Sequence, residues 1–268
     1  LPETQFAYHR HHSTEDALIL AVHRWSTARA RKQSTGIVFV DMSKAFDKVR
    51  HQTLLDDLHG KGVRGTALAW FASYLSGRKQ RVKVGSSSSS YSECSSGVPQ
   101  GSVLGPFLFS VYISSIDSHL PPGICHQEFA DDITLDTSSS SRADISSKLS
   151  VACTRLAVWL NGRGLSLNAT KTCVLHIAPR STLDPLPPVI CDGAVLPVVS
   201  QTKYLGLIVD DRLTWNSHVT HICKTSRQVI GALRRNRKCL SLQSKRMAYT
   251  SMVESRIRYG CSAFFSSL

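Results

Sequence analysis

Two adjacent acids, Asp131 and Asp132, interrupt an otherwise largely apolar run, Glu128-Phe129-Ala130-Asp131-Asp132-Ile133-Thr134-Leu135. Apolar residues on both sides of a polar pair suit a β-hairpin with the acids at its tip. Setting two carboxylates side by side is unfavourable, because each raises the other's pKa unless a cation neutralises them. Hard oxygen donors of this kind suit Mg²⁺, which takes one or two protein carboxylates and completes its shell with water and substrate phosphates. A third acid, Asp41, follows the β-branched run Ile37-Val38-Phe39-Val40, which reads as a buried strand. Three such acids would hold two ions about 3.5–4 Å apart, the spacing used for in-line nucleotidyl transfer. The alternative is a polar Asp-Asp turn without metal, and the pair alone does not decide between them.

The rest of the chain is basic, with 32 Lys+Arg against 19 Asp+Glu and a formal charge of +13. An excess of that size favours a polyanionic partner through counterion release. At 268 residues the chain buries a sizeable core without needing disulfides. Its eight cysteines form no C-x-x-C pair, and several sit in apolar runs such as Thr172-Cys173-Val174-Leu175, so reduced thiols of an intracellular protein are expected. No signal core opens the chain and no apolar stretch approaches a membrane span, so neither secretion nor insertion is expected.

Ser13 with Asp16 forms a capping-box pattern ahead of helical periodicity to residue 31, which Gly36 ends. Helices are expected at 51–59 and 66–75, a half-exposed strand at 80–84, and a loop in the serine run 86–90. A tight glycine turn, Gly97-Val98-Pro99-Gln100-Gly101, leads into an apolar helix at about 103–116. Further on come a helix at 143–160 closed by Gly162, strands at 173–177 and 204–209, a proline-rich loop at 179–188, and helices at 217–234 and 242–258. Strands and helices mix without regular βα alternation, which predicts an α+β fold with an antiparallel sheet. His218, His221 and Cys223 do not converge on one zinc ion at helical spacing and read as structural, and His9, His11 and His12 read as a solvated turn.

Five segments carry a resemblance: Val40-Asp41-Met42-Ser43-Lys44-Ala45-Phe46-Asp47-Lys48-Val49, Gly97-Val98-Pro99-Gln100-Gly101-Ser102-Val103-Leu104-Gly105-Pro106, Phe129-Ala130-Asp131-Asp132, Leu165-Ser166-Leu167-Asn168-Ala169-Thr170-Lys171-Thr172 and Tyr204-Leu205-Gly206. In this order they resemble the motif series of reverse transcriptases, closest to those of non-LTR (LINE-type) retrotransposons of the Jockey-like kind. The resemblance implies a right-hand polymerase palm with partial fingers at 1–35, the palm with inserted helices at 36–199, and the primer-grip strand and start of the thumb at 200–268. It implies RNA-directed DNA synthesis, with an RNA template, a DNA primer and deoxynucleoside triphosphates as partners, no membrane, and a nuclear location.

Residue by residue, Asp41, Asp131 and Asp132 resemble the family's metal-binding triad for two Mg²⁺ ions, with Mn²⁺ as a substitute. Phe46 matches the bulky residue that blocks a ribose 2′-hydroxyl, or else is core packing. Gln100 and Gly101 resemble the segment against the incoming nucleotide and template base. Lys171 matches the proposed general acid to pyrophosphate, or is one solvated lysine among many. Tyr204, Leu205 and Gly206 resemble the primer grip, though a Tyr-Leu-Gly strand is also ordinary core. His9 stands where the family carries an arginine, and Arg10 beside it is the candidate replacement as phosphate ligand. Neither the earlier fingers segments, an endonuclease domain nor a zinc knuckle is recognisable, so a fragment of a longer reading frame is expected. The rival is a catalytically inactive retrotransposon-derived fragment that binds nucleic acid; a metal-dependent nuclease lacks a candidate base.

Overall fold

Seven residues without a charge, Ser34–Val40, form the central strand of a five-stranded sheet. In this computed structural model, which describes residues 2–179 and 185–265, that strand pairs antiparallel with Asp132–Ser139 on one side and Cys173–Ile177 on the other. Cys125–Phe129, hairpin partner of Asp132–Ser139, forms one edge, and Val198–Val199 adds a short parallel strand at the other. Side chains alternate across the sheet, so Val38 and Val40 enter one core while Ile37 enters the other. A strand covered on both faces has no polar side to show, hence its unbroken apolar run.

The first core is roofed by helices His51–Gly60, Leu104–Ile113 and Arg142–Gly162, through Leu54, Leu108, Phe109, Leu149 and Leu156 among others. The second is covered by helix Thr14–Ala30 together with the hairpin Gln201–Tyr204 and Leu207–Asp210 and the final helix Cys261–Phe265. Early and late parts of the chain thus share one layer. The architecture is α+β with a largely antiparallel sheet, as expected. Among the described residues no helix is long and apolar enough to cross a membrane. All eight cysteines are free thiols.

The capping box is present: Ser13 Oγ accepts from the Asp16 amide at 3.2 Å and donates to Asp16 Oδ2 at 2.6 Å. Gly36, expected to break the pattern, lies inside the central strand. A Cβ there would stand 2.5 Å from Ile145 Cγ2 and 2.7 Å from Leu149 Cδ1, so glycine lets helix Arg142–Gly162 settle directly on the sheet.

The expected 80–84 strand is replaced by two exposed ladders, Lys79–Gln80 with Ser92–Glu93 and Lys83–Val84 with Ser87–Ser88. The serine run is therefore part of a hairpin rather than a loop, since backbone pairing needs no apolar side chain. Residues 204–209 are a hairpin as well, turning at Leu205 and Gly206 with φ of 43° and 90°. The apolar helix ends early, at Ile113, and a 3₁₀ turn Ile116–His119 follows. The helix expected at 242–258 contains a π segment, Thr250–Glu254. The proline-rich loop lies partly outside the described residues.

Candidate active site

The ladder between the central strand and Asp132–Ser139 ends on the pair Val40 and Ile133. One residue beyond that pair on each strand stand Asp41 and Asp132, so register alone sets Asp41 across from Asp132. Asp131 occupies the two-residue turn between Phe129 and Asp132, preceded by Ala130 at φ 56°. The two acids therefore sit at a hairpin tip, next to the end of the central strand.

Asp132 is exposed, while Asp41 and Asp131 are half-buried. The Asp132 carboxyl is pushed above the usual carboxylate range, first by partial loss of solvent around it, then by the charge of Asp131, then by that of Asp41. No protein cation pairs with any of the three among the described residues. They do not form a closed cage either: among the described residues no three His, Cys, Asp or Glu side chains converge as a complete ligand set. Mg²⁺ does not require one, because it keeps waters and takes phosphate oxygens from substrate. Carboxylates at a solvent-open sheet end, unpaired with any protein cation among the described residues, suit such an ion in donor type.

The backbone of Asp41 is held from the other side. Its amide donates to Thr172 Oγ1 at 3.2 Å, and its carbonyl accepts from the Asn168 amide at 2.8 Å. Met42 bridges Leu167, and the Ser43 amide donates to the Ser166 carbonyl at 3.2 Å. The Asn168 carbonyl accepts from both Lys171 and Thr172, closing a turn that leaves Lys171 exposed. Only Lys171 was singled out from the sequence of this segment. Asn168 and Thr172 position the acid, and the signal that could have found them is their turn chemistry.

Gln5 is a third positioning residue that sequence reasoning missed. Buried beside the Asp hairpin, its Oε1 accepts from the Ala130 amide at 3.2 Å and the Ala7 amide at 2.9 Å, while its Nε2 donates to Glu128 Oε2. The segment bearing His9 and Arg10 is anchored through it to the acidic turn. Arg10 is exposed and unpaired among the described residues. His9 is half-buried with its ring against His12, which meets Phe6 edge-on at 5.1 Å, so only His11 of the three fits a solvated turn.

Phe46 sits in the 3₁₀ turn Ala45–Lys48, half-buried and stacked on Phe109. The glycine turn docks on this segment. Val98 donates to the Phe46 carbonyl at 2.9 Å, Gly97 to the Val49 carbonyl at 2.8 Å, and Gln100 Nε2 to Asp47 Oδ1 at 3.0 Å. A Cβ on Gly97, at φ 89°, would fall 2.8 Å from the Asp47 carbonyl oxygen. Gly101, at φ 79°, faces open space instead. The close approach inside the protein thus belongs to Gly97, and Gly101 leaves room for something outside it.

Tyr204 is buried against Phe39 and Trp25, with ring centroids 5.4 and 6.0 Å away, and burial pushes its phenol up to about 12. Its side chain is core. The Leu205–Gly206 tip is met by Tyr259, whose hydroxyl donates to the Leu205 carbonyl at 2.7 Å. His218 is also structural, edge-on to Phe264 at 5.3 Å.

A family model described as Reverse transcriptase (RNA-dependent DNA polymerase) matches residues 1–209. The chain is 33% identical over 97% of its length to the probable RNA-directed DNA polymerase from transposon BS of Drosophila melanogaster, covering 30% of that protein. It is 30% identical over 98% of its length to the RNA-directed DNA polymerase from mobile element jockey of the same species, again covering 30% of it. The chain therefore spans 30% of the length of these curated relatives. Among solved structures, apo telomerase from Candida tropicalis truncated from its C-terminal domain aligns at a TM-score of 0.53 and 14% identity, over 77% of this chain and 39% of that one. Telomerase from the same organism in complex with the TWJ fragment of telomeric RNA aligns at 0.54 and 12% identity, over 98% and 43%. The shared fold is that of a right-hand polymerase.

Proposed function

The chain belongs to the reverse transcriptase (RNA-dependent DNA polymerase) family, and from that premise we propose that it is the core of an RNA-directed DNA polymerase from a non-LTR retrotransposon. It adds deoxynucleotides to a primer 3′-hydroxyl on an RNA template. The observation that carries this is the register that sets Asp41 across from Asp132, beside Asp131, with no protein cation among the described residues to neutralise them.

Asp41, Asp131 and Asp132 are the residues that would hold two Mg²⁺ ions, or Mn²⁺ in their place. Bound there, the metal supplies a lowered pKa for the primer hydroxyl and stabilises charge on the departing pyrophosphate. Asn168, Thr172 and Gln5 keep the acid-bearing backbones in place. Phe46, steadied by Phe109, excludes a ribose 2′-hydroxyl. Gly101 lets the incoming nucleotide and template base come close to the backbone, with Gln100 oriented by Asp47. Exposed Lys171 donates a proton toward pyrophosphate, and Arg10 contacts the triphosphate. Leu205 and Gly206 offer backbone to the primer, and Tyr204 anchors them. In domain terms, 1–35 serve as partial fingers, 36–199 as palm, and 200–268 as primer grip and start of the thumb. The RNA template, DNA primer and deoxynucleotides would meet it in the nucleus.

Primer extension on an RNA template with Mg²⁺ tests the proposal, comparing the unaltered chain with Asp131→Asn and Asp132→Asn. Extension by the unaltered chain alone is expected. If no version extends while all bind primer–template equally, the chain is an inactive nucleic-acid-binding fragment.

A further inference from the structure

Residues 61–94 carry six basic side chains, Lys61, Arg64, Arg78, Lys79, Arg81 and Lys83, against one acid, Glu93. None of the six is in an ion pair among the described residues. Within this basic region Trp70 and Tyr91 are turned outward, while Phe71 and Tyr74 are half-buried against the core. On helix Gly65–Leu75, Trp70 lies parallel to Tyr74, with planes 11° apart and centroids separated by 5.6 Å, and Trp70 is 53% exposed. Arg78 lies over the Tyr74 ring at 5.2 Å, and Arg81 over Tyr91, itself 63% exposed, at 5.0 Å.

An i, i+4 aromatic pair can serve helix stability alone, but a pair built for packing would turn its larger ring inward. Here the indole faces water beside guanidinium groups. The region also connects to the active site. Tyr74 donates through its hydroxyl to Ser102 Oγ at 3.0 Å, next to Gly101. A cleft of about 760 Å³ lies elsewhere, but the one of about 680 Å³ runs from Gln100 past Lys44 to Arg78 and Lys79. The open faces of Trp70 and Tyr91 among unpaired cations are of the kind on which single-stranded nucleic acid stacks its bases and sets its phosphates.

We infer that the Trp70–Tyr74–Arg78 stack and the adjoining cleft under Arg78 and Lys79 bind a single-stranded stretch of the template as it passes Gln100. This rests on the polymerase function proposed above for its choice of strand; the chemistry recognised is that of an unpaired polynucleotide. A base stacks on Trp70, and Arg78 and Lys79 each contact a phosphate. Blunt duplex, having no unstacked base to offer, gains no stacking on Trp70.

The test is binding of the full chain to fluorescently labelled single-stranded oligo(U) and to a blunt RNA–DNA duplex, across a salt series. Trp70→Ala is expected to weaken oligo(U) binding about tenfold and leave duplex binding unchanged, while Trp70→Phe retains most of the affinity. Arg78→Gln combined with Lys79→Gln should lower the log–log salt slope for oligo(U) by about 1.4, roughly 0.7 for each phosphate no longer neutralised. Unchanged oligo(U) affinity and slope in both the Trp70→Ala and the double variant would overturn the assignment, as expected if the patch instead docks a protein. Should Trp70→Ala lose its fold, judged by circular dichroism, the double variant decides alone, because its residues are exposed. Failure of the unaltered chain to extend a primer would sink the polymerase function separately, since oligo(U) binding is read without catalysis.

Discussion

Phe46 stacks on Phe109 with ring centroids 4.3 Å apart and planes inclined by 21°. Core aromatic and proposed nucleotide gate are thus compatible in one side chain: one face of Phe46 is held by a fully buried neighbour, and the side chain as a whole stays only half-buried. Phe46→Val should admit ribonucleotides, raising their use relative to deoxynucleotides by at least about tenfold, a change of about 1.4 kcal/mol. Phe109→Ala should lower stability by about 3–5 kcal/mol and also loosen discrimination. Competing dNTP and rNTP incorporation measures both; an unchanged ratio for Phe46→Val removes it from nucleotide selection.

Asp132 supplies a charge that the folded protein holds at a disadvantage. Its raised pKa means that the penalty is absent below the ordinary carboxylate range and grows as pH rises through the raised value. Asp132→Asn should therefore melt at a higher temperature than the unaltered chain at neutral pH without metal, and gain less from added Mg²⁺. Its extension rate should drop by at least about a hundredfold. Thermal melts at acidic and neutral pH, with and without Mg²⁺, check the sign, and equal melting temperatures at neutral pH would contradict it.

Two glycines of the same turn should behave differently. Gly97→Ala forces a methyl against the Asp47 backbone at positive φ, and should lower stability by about 2–4 kcal/mol. Gly101→Ala meets no protein atom and bears only the left-handed backbone penalty, about 1–2 kcal/mol. Its larger effect should fall on KM for the nucleotide. Denaturant titration alongside steady-state extension separates the two, and equal destabilisation by both would count against the difference in their surroundings.

Tyr204 predicts an alkaline limit to stability. An unfolded tyrosine ionises near its ordinary 10.0, whereas the buried phenol holds its proton to about 12. The stability linked to this difference is complete below pH 10 and disappears as pH rises through about 12. Tyr204→Phe should flatten that part of the stability curve while preserving the contacts of the ring with Phe39 and Trp25. Urea unfolding midpoints across the alkaline range test it; an identical fall in the variant would assign the loss to other groups.

Much of the molecule was legible in local pattern. The capping box of Ser13 and Asp16, the strand at Cys173–Ile177 and the acids at a hairpin tip each follow from residue period and turn chemistry within a few neighbours. The ordered motifs identified the family, because they are stretches of sequence and need no coordinates. Where a local signal was ambiguous it misled. A leucine at positive φ hid the turn after Tyr204, and a glycine inside a strand looked like an interruption.

Sequence by itself determined most of the helices and the buried strands, that two acids stand at a hairpin tip and a third at a strand end, and that the chain is strongly basic. Tertiary structure alone decided that Val40 pairs with Ile133 and so brings Asp41 opposite Asp132, that Tyr204 is core, and that Gly97 rather than Gly101 bears the close contact. The physical reason is range. Periodicity and capping are settled between residues a few positions apart, whereas strand register and the closeness of two backbones depend on partners fifty to ninety or so positions away along the chain.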